Sequence, residues 1–417
     1  MAEIEITAMT LGPYGLGHRD GKTIMVPDAA PGDRLEVAIR SERRDYSVGA
    51  IERIIAAGPE RRATPCPYLP HCGGCDWQQI EYPAQVRIKA ELIARELSRA
   101  LGVEIDPAGL VEPAPAEFGY RARIRLKVGR GGALGFHELG SNELVAIDRC
   151  LLAEDGLAMP SILARMLARD LSEIEAVASS GNRTVLVGYL KKPAGAEQLE
   201  RARRALETDS RIAGIVLRAG EYRAVLGEVE IDAEIEPGIT LRAGADLFSQ
   251  VNRAQNLRLV AEVMAMAAPA PGAKLLDLFC GAGNFSIPAA RRGARVTGVD
   301  SDPPAIAAAA RNAERMDLGQ AQFAAMKAHE LAAFLKRARF KPDAVILDPP
   351  RTGAAALVEP IAKLGPARVV YVSCDAPTLA RDLRALAAHG YKLSRVRAFD
   401  FFPNTHHAEI AANAVLT

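Results

Sequence analysis

Hydrophobic and polar positions change rhythm along the chain, and each rhythm predicts a different architecture. Alternation opens the sequence at Glu3-Ile4-Glu5-Ile6 and is followed by a glycine-rich loop (Gly12, Gly15, Gly17). Asp20-Gly21 precedes Thr23-Ile24-Met25-Val26, a hairpin signal, and Pro31-Gly32-Asp33 separates that strand from Leu35–Ile39. Short strands at this spacing predict a small β-barrel over residues 1–57. Residues 58–245 mix both periods and predict an α+β region. In it an amphipathic helix runs through Ala84–Leu101, a helical run passes through the 150s to 170s, and Glu197–Thr208 is again helical. Arg183–Leu190 and Gly214–Leu217 are strand-like. Pro269, Pro271 and Gly272 punctuate the entry to the last region, taken as 246–417. From Lys274 the pattern becomes regular. Apolar runs suited to buried parallel strands (Leu275–Cys280, Ala294–Asp300, Ala344–Leu347, Arg368–Ser373) alternate with helical stretches at Phe285–Arg292, Pro304–Met316, Glu330–Arg339 and Leu379–His389. That is a doubly wound α/β domain. Lys392–Phe402 and Glu409–Leu416 follow one another with no helix between them, so they are expected to pair antiparallel.

Composition narrows the partners. The 417 residues carry 52 Lys plus Arg against 51 Asp plus Glu, a net charge of +1, which excludes a bulk polycation. Any nucleic acid must therefore be met by a local patch. With 49% apolar and 25% charged residues the chain is globular rather than disordered. The start, MAEIEITAMT, has neither a basic nor an apolar leader region, and no run suits a membrane span. A cytoplasmic, membrane-free protein, taken as a monomer, is expected. Six cysteines in such a chain point to metal binding or catalysis rather than disulfides.

The candidate chemistry lies in six places. Leu275-Leu-Asp-Leu-Phe279-Cys280 leads into Gly281-Ala-Gly283-Asn284, and Asp300 stands at the tip of the next strand. Glycines let backbone approach a ligand, and an acid at that distance accepts from ribose hydroxyls. A dinucleotide site would want a third glycine where Ser286 stands, so a nucleoside cofactor without pyrophosphate, such as S-adenosylmethionine, fits better. Asp348-Pro349-Pro350-Arg351 follows a buried strand and would face the same crevice. Cys374 ends a strand just before a helix, where a thiol is acidified and the thiolate is nucleophilic. Pro403 through His407 turn the chain so that Glu409 returns to the sheet edge, partly desolvated and so a usable base. Cys66, Cys72 and Cys75, with the remote Cys150, suit a metal group. Three close cysteines plus one distant are more typical of an iron–sulfur cubane than of zinc, which stays open. Finally Arg121, Arg123, Arg125 and Lys127 alternate with apolar residues, placing four cations on one strand face as a candidate phosphate-binding stripe. Residues 61–130 hold 11 basic against 8 acidic residues, a modest local excess.

Taken together these motifs resemble the RNA 5-methyluridine methyltransferases, in the ribosomal-RNA branch that has an N-terminal TRAM domain and a [4Fe-4S] cluster. The resemblance covers nearly the whole chain. It runs from the TRAM-like GPYGLGHRDGKTIMVPDAAPGDRLEVAI through the four cysteines and Phe248-Ser-Gln250-Val-Asn252 to LDLFCGAGN, LDPPR, YVSC and FPNTHHAE, in family order. It implies a TRAM/OB-like barrel, a central iron–sulfur domain and a Rossmann-like methyltransferase domain. It also implies methylation of carbon 5 of a specific uridine in 23S rRNA through a covalent cysteine–carbon 6 adduct. Carried over by position, Gln250, Phe279, Asn284, Asp300 and Asp348 would border S-adenosylmethionine. Cys374 would be the nucleophile, Glu409 the base, and Cys66, Cys72, Cys75 and Cys150 the ligands of a cluster without redox turnover. The same chemistry on a tRNA uridine is the alternative, and a non-catalytic cluster-bearing RNA-binding or assembly factor is the competitor from another class. Three departures from the family stand out. Asp375 replaces the usual Asn after the nucleophile and would raise the thiol pKa unless turned away to cap the helix. No acid lies near Ala325-Met326-Lys327 to meet an adenine amino group, and Ala408 replaces a usual Val.

Overall fold

Alternating burial in the first strands closes them on themselves. The structure is a computed structural model that describes residues 2–179, 182–337 and 341–417. Ala2–Met9, Tyr14–Arg19, Lys22–Pro27, Arg34–Glu42 and Tyr46–Ala56 form a closed barrel in the order first, second, third, fifth, fourth. Ile4, Ile6, Val26, Leu35 and Val37 fill it. Arg19 pairs with Lys22, leaving Asp20-Gly21 as a two-residue turn with φ of 50° and 77°, the positive values such a hairpin demands. Asp33, fully buried, ties the barrel to the chain that follows by accepting from the Gly58 amide at 2.9 Å and from Arg61 at 2.7 Å.

The middle of the chain builds a seven-stranded sheet in the order Tyr222–Gly227, Ile212–Ala219, Arg183–Leu190, Leu171–Ser179, Arg123–Val128, Leu134–His137, Leu144–Ala146. Helices Ser161–Met166 and Ala196–Thr208 cover one face through Leu163, Ala202 and Ala205. The helical run expected through the 150s to 170s is corrected here. Only Ser161–Met166 is helical, and Leu171–Ser179 is a central strand. Gly156 and Pro160 confine the helix, while Glu173 and Glu175 alternate with the buried Ile174 and Ala176 at the period of a strand.

The third sheet has eight strands, ordered Ala321–Ala325, Arg295–Asp300, Lys274–Leu278, Ala344–Leu347, Arg368–Ser373, Glu409–Leu416, Tyr391–Phe399, Val111–Glu112. The first five run parallel, and the expected antiparallel pairing of Glu409–Leu416 with Tyr391–Phe399 is present. The strand Glu409–Leu416 also pairs antiparallel with Arg368–Ser373, so it sits inside the sheet. Helices Tyr82–Leu101, Ala328–Arg337, Ala355–Leu364 and Ala376–Ala387 cover one face. Arg253–Ala267 and Ser286–Arg291 cover the other. The helix expected at Glu330–Arg339 extends to residues that lie outside those described. Helix Tyr82–Leu101 and strand Val111–Glu112, early in the chain, thus pack on this last sheet. The hairpin of Glu230–Glu236 and Ile239–Gly244 reaches the same core through Ile235 and Leu241. No helix among the described residues is long and apolar enough to cross a membrane.

Candidate active site

Sheet register brings the two reactive groups together. Ser373 pairs with Ile410 in antiparallel strands, so one step further along each strand Cys374 and Glu409 are neighbours at the carboxyl edge of the sheet. Cys374 is followed by helix Ala376–Ala387, whose cap is Asp375: its carboxylate accepts from the Thr378 amide at 2.8 Å. The neighbouring anion is therefore turned onto the helix end. Arg351 leaves the adjacent strand Ala344–Leu347 through Pro349-Pro350 and lies against the thiol. The pocket over Cys374 is lined by Leu11 from the barrel, Lys89, Arg351, His406 and His407. Sequence reasoning did not single out Lys89, Arg351 or His407. Arg351 stood in view within its motif, whereas Lys89 is marked only by being a cation on a buried helical face.

The electrostatics of this pocket correct one expectation. Burial, then the charge of Glu409, pushes the Cys374 thiol up to about 11, and Arg351 offsets only part of this. Desolvation of a half-buried sulfur thus runs against the acidification expected of a thiol before a helix. Glu409 is 6% exposed; burial, then the Asp348 carboxylate, raises its pKa well above the usual range, against the pull of Arg351. His407 is pushed down to about 3 by burial, then by His406 and Arg351, so its ring is neutral and accepts from Arg351, whose nitrogen lies 3.3 Å from Nε2.

A second cavity adjoins across Asp348. Gln250, Phe279, Gly281, Asn284 and Asp348 line it, with Phe248, which is 75% exposed. Asp300 does not line it. Its carboxylate instead holds the glycine turn, accepting from the Gly281 amide at 2.9 Å and the Asp302 amide at 3.0 Å. Phe279 has φ of 64°, strained for a bulky residue, and this bend aims residues 280–284 at the cavity. Asn284 and Asn256 exchange side-chain amide hydrogen bonds at 3.0 and 3.1 Å. Ser286, where a dinucleotide fold would have glycine, donates to the buried Asp277 at 2.5 Å and pins helix to strand. Burial and then Asp300 push Asp348 up to about 7, so the cavity has an apolar wall and, besides Glu234, a carboxyl at Asp348 that a cationic ligand would ionise.

The four remaining cysteines also meet. Cys66, Cys72, Cys75 and Cys150 line one cavity with Gln78 and Arg121. Burial raises the pKa values of Cys72, Cys75 and Cys150, and neighbouring thiols raise them further. The Nε of Arg121 is buried there with no hydrogen-bond partner. Among the described residues no three His, Cys, Asp or Glu side chains are grouped so as to hold a metal ion. The cationic stripe is corrected. Arg123 is buried and paired with Glu175 at 2.8 Å, and Arg125 and Lys127 both bind Glu173. Arg125 also lies 4.0 Å over the Tyr189 ring, and Arg121 faces the cysteines. Carboxylates of the neighbouring strand Leu171–Ser179 thus pair with the cations from Arg123 to Lys127, so these are not the free stripe that alternation suggested.

Comparison with known proteins places this geometry. The profile of the tRNA (uracil-5-)-methyltransferase family matches residues 164–414. The chain is 32% identical to the 23S rRNA (uracil(1939)-C(5))-methyltransferase of Pectobacterium atrosepticum, over 98% of this chain and 93% of that one. It is 34% identical to the protein of the same name from Hahella chejuensis, over 98% and 96%. Among solved structures, Pyrococcus abyssi tRNA (uracil-54, C5)-methyltransferase in complex with S-adenosyl-L-homocysteine superposes with a TM-score of 0.74 at 25% identity. That match covers 99% of this chain and 100% of that one.

Proposed function

Because the chain belongs to the tRNA (uracil-5-)-methyltransferase family, we propose that it methylates carbon 5 of a uridine in 23S rRNA, with Cys374 as nucleophile and Glu409 as base. The observation that carries the reading is the register that seats Cys374 beside Glu409, with Arg351 against the thiol. Carbon 5 of uracil is a poor nucleophile. Addition of the Cys374 thiolate at carbon 6 converts the ring to an enolate whose carbon 5 can take a methyl group. S-adenosylmethionine, when bound, supplies that methyl group as an electrophile. Gln250, Phe279, Gly281, Asn284 and Asp348 would hold it, and the Asp348 carboxyl suits its positive charge. Glu409 then removes the carbon 5 proton, and the electrons left behind expel the cysteine, restoring the ring. Arg351 favours both the thiolate and the ionised base. The target base must leave its stack to enter a pocket this enclosed.

Trapping tests the reading. Wild-type enzyme on 23S rRNA containing 5-fluorouridine should give a denaturation-resistant complex, absent for Cys374→Ala. Glu409→Gln should accumulate that complex on unsubstituted RNA, since a general base contributes on the order of 10²–10⁴-fold. A wild type that traps nothing sinks the mechanism. The likeness to the Pyrococcus tRNA enzyme favours a tRNA uridine as the second reading. Mass mapping of methylated uridines in a deletion strain decides between the two RNAs.

The cysteine cavity supports a [4Fe-4S] cluster held by Cys66, Cys72, Cys75 and Cys150. A single zinc needs every sulfur ~2.3 Å from one point, whereas each thiolate of a cubane meets a different iron and the sulfurs stand wider. Convergence of four thiols on one cavity suits a group that takes one sulfur per iron. The buried, unpartnered Nε of Arg121 suits an anionic group. Held by these four cysteines, such a cluster would supply a cross-link among the loops that carry them. A brown anaerobic preparation with stoichiometric iron and sulfide is expected; a colourless, zinc-loaded one refutes it.

A further inference from the structure

The turn that delivers Glu409 is held from outside its own sheet. Asn404 at its start is fully buried with φ of 67°, a conformation asparagine tolerates better than most side chains. Its carbonyl accepts from the amides of Asp76 and Trp77 at 3.2 and 3.1 Å. The Asp76 carboxylate then reaches two residues further along the turn. One oxygen accepts from the His406 amide at 2.9 Å, and the other lies 2.5 Å from His406 Nδ1. Both partners are largely shielded, with side-chain exposures of 15% for Asp76 and 19% for His406. The His406 ring packs on that of His407, centroids 3.8 Å apart, and His407 in turn meets Arg351, which lies against Cys374. A continuous contact path therefore runs from the residue after Cys75 to the reacting thiol, and Glu409 lies three positions beyond His406.

We propose that Asp76 and His406 are positioning residues, a clamp by which the cysteine-bearing segment fixes the turn ahead of Glu409 and so the placement of that base. The proposal rests on the reading of Glu409 as the base. Sheet pairing holds Glu409 itself against Phe399 and, one residue on, Ile410 against Ser373, but no strand pairing reaches the turn on its N-terminal side. On its N-terminal side the chain is held through Asn404 and His406, and Asp76 contributes its amide and both carboxylate oxygens to that hold. A displacement of ~1 Å in a positioned group can lower a rate by about 10²-fold. Proton removal from carbon 5 is thus the step that should suffer, while addition of Cys374 and cofactor binding in the separate cavity should not.

The test uses the full chain with in vitro transcribed 23S rRNA and compares Asp76→Ala, Asp76→Asn, His406→Ala and Glu409→Gln. For Asp76→Ala and His406→Ala, kcat should fall by about ten- to a hundredfold. KM for RNA in Asp76→Ala, and the calorimetric Kd for S-adenosylmethionine in both, should stay close to wild type. The covalent protein–RNA complex should build up on unsubstituted RNA, as in Glu409→Gln, a signature that general loosening of the fold would not give. Asp76→Asn keeps an oxygen for the His406 amide with little change of shape and should recover part of the rate. The double variant should be no worse than either single one, because the two residues act as one contact. Turnover near wild type in Asp76→Ala and His406→Ala, or a loss of rate with no build-up of complex, overturns the proposal. If Glu409→Gln itself accumulates no complex, the reading of Glu409 fails instead and takes the proposal with it.

Discussion

Arg351 offsets only part of what burial does to Cys374. A thiol raised to about 11 is protonated at neutral pH, and its thiolate fraction grows about tenfold per pH unit below that value. Alkylation of Cys374 by iodoacetamide in the free enzyme should therefore climb across the neutral and alkaline range and level off only near pH 11. The cation lowers the pKa, so Arg351→Ala should move the climb to higher pH and slow alkylation at every lower pH. Mass spectrometry of the Cys374 peptide reads both effects. Cys374 and Glu409 were legible in the sequence because each stands in a short motif at a strand end. Asp375 was legible too, since a short acid before a helix is a natural cap. What the residues alone could not show was the company they keep. The stripe from Arg121 to Lys127 looked free because Glu173 and Glu175 come from a strand about fifty positions away. The brace that Asp300 gives the glycine turn was not legible either, since its distance from that turn suits a ribose ligand equally well.

Helix Tyr82–Leu101 carries one charged residue into its buried face. Lys89 donates to Asp400 at 2.6 Å and to the Phe402 carbonyl at 3.2 Å, and the side chains of Lys89 and Asp400 are 0% exposed. The other carboxylate oxygen of Asp400 has no hydrogen-bond partner. Lys89→Met would leave the Asp400 charge buried alone, and removal of one member of such a pair destabilises by about 3–5 kcal/mol. Urea denaturation should show a lower midpoint with an unchanged slope, and Lys89→Met with Asp400→Leu should recover much of the loss. The helix itself was readable from its period, but its partner was not, because Asp400 lies more than 300 residues further along the chain. Leu171–Ser179 was misread for a related reason. Alanines in Glu175-Ala-Val-Ala favour helix locally, and burial on both faces of a central strand overrides that preference.

At the scale of the molecule, a near-neutral chain joins a barrel to two sheets through a few buried ions rather than a broad charged surface. Asp33 and Arg61 make the joint between the barrel and the cysteine-bearing segment, with exposures of 0% and 14%. Arg61→Ala should destabilise that joint by about 3–5 kcal/mol. Limited proteolysis near residues 56–62 should then precede cleavage elsewhere, visible as early release of the barrel. Fold class and antiparallel ending were legible because apolar runs and helical stretches alternate so regularly after Lys274. The insertion of strand Glu409–Leu416 between Arg368–Ser373 and Tyr391–Phe399 was not, since adjacency in sequence says nothing of which strand lies inside. That insertion has a temporal meaning. The ribosome makes the nucleophile before the base, and the walls His406, His407 and Ile410 around the cysteine arrive on the same late stretch as Glu409. A nascent chain that has reached only Cys374 owns a thiol but no pocket, so it cannot capture RNA it has no means to release.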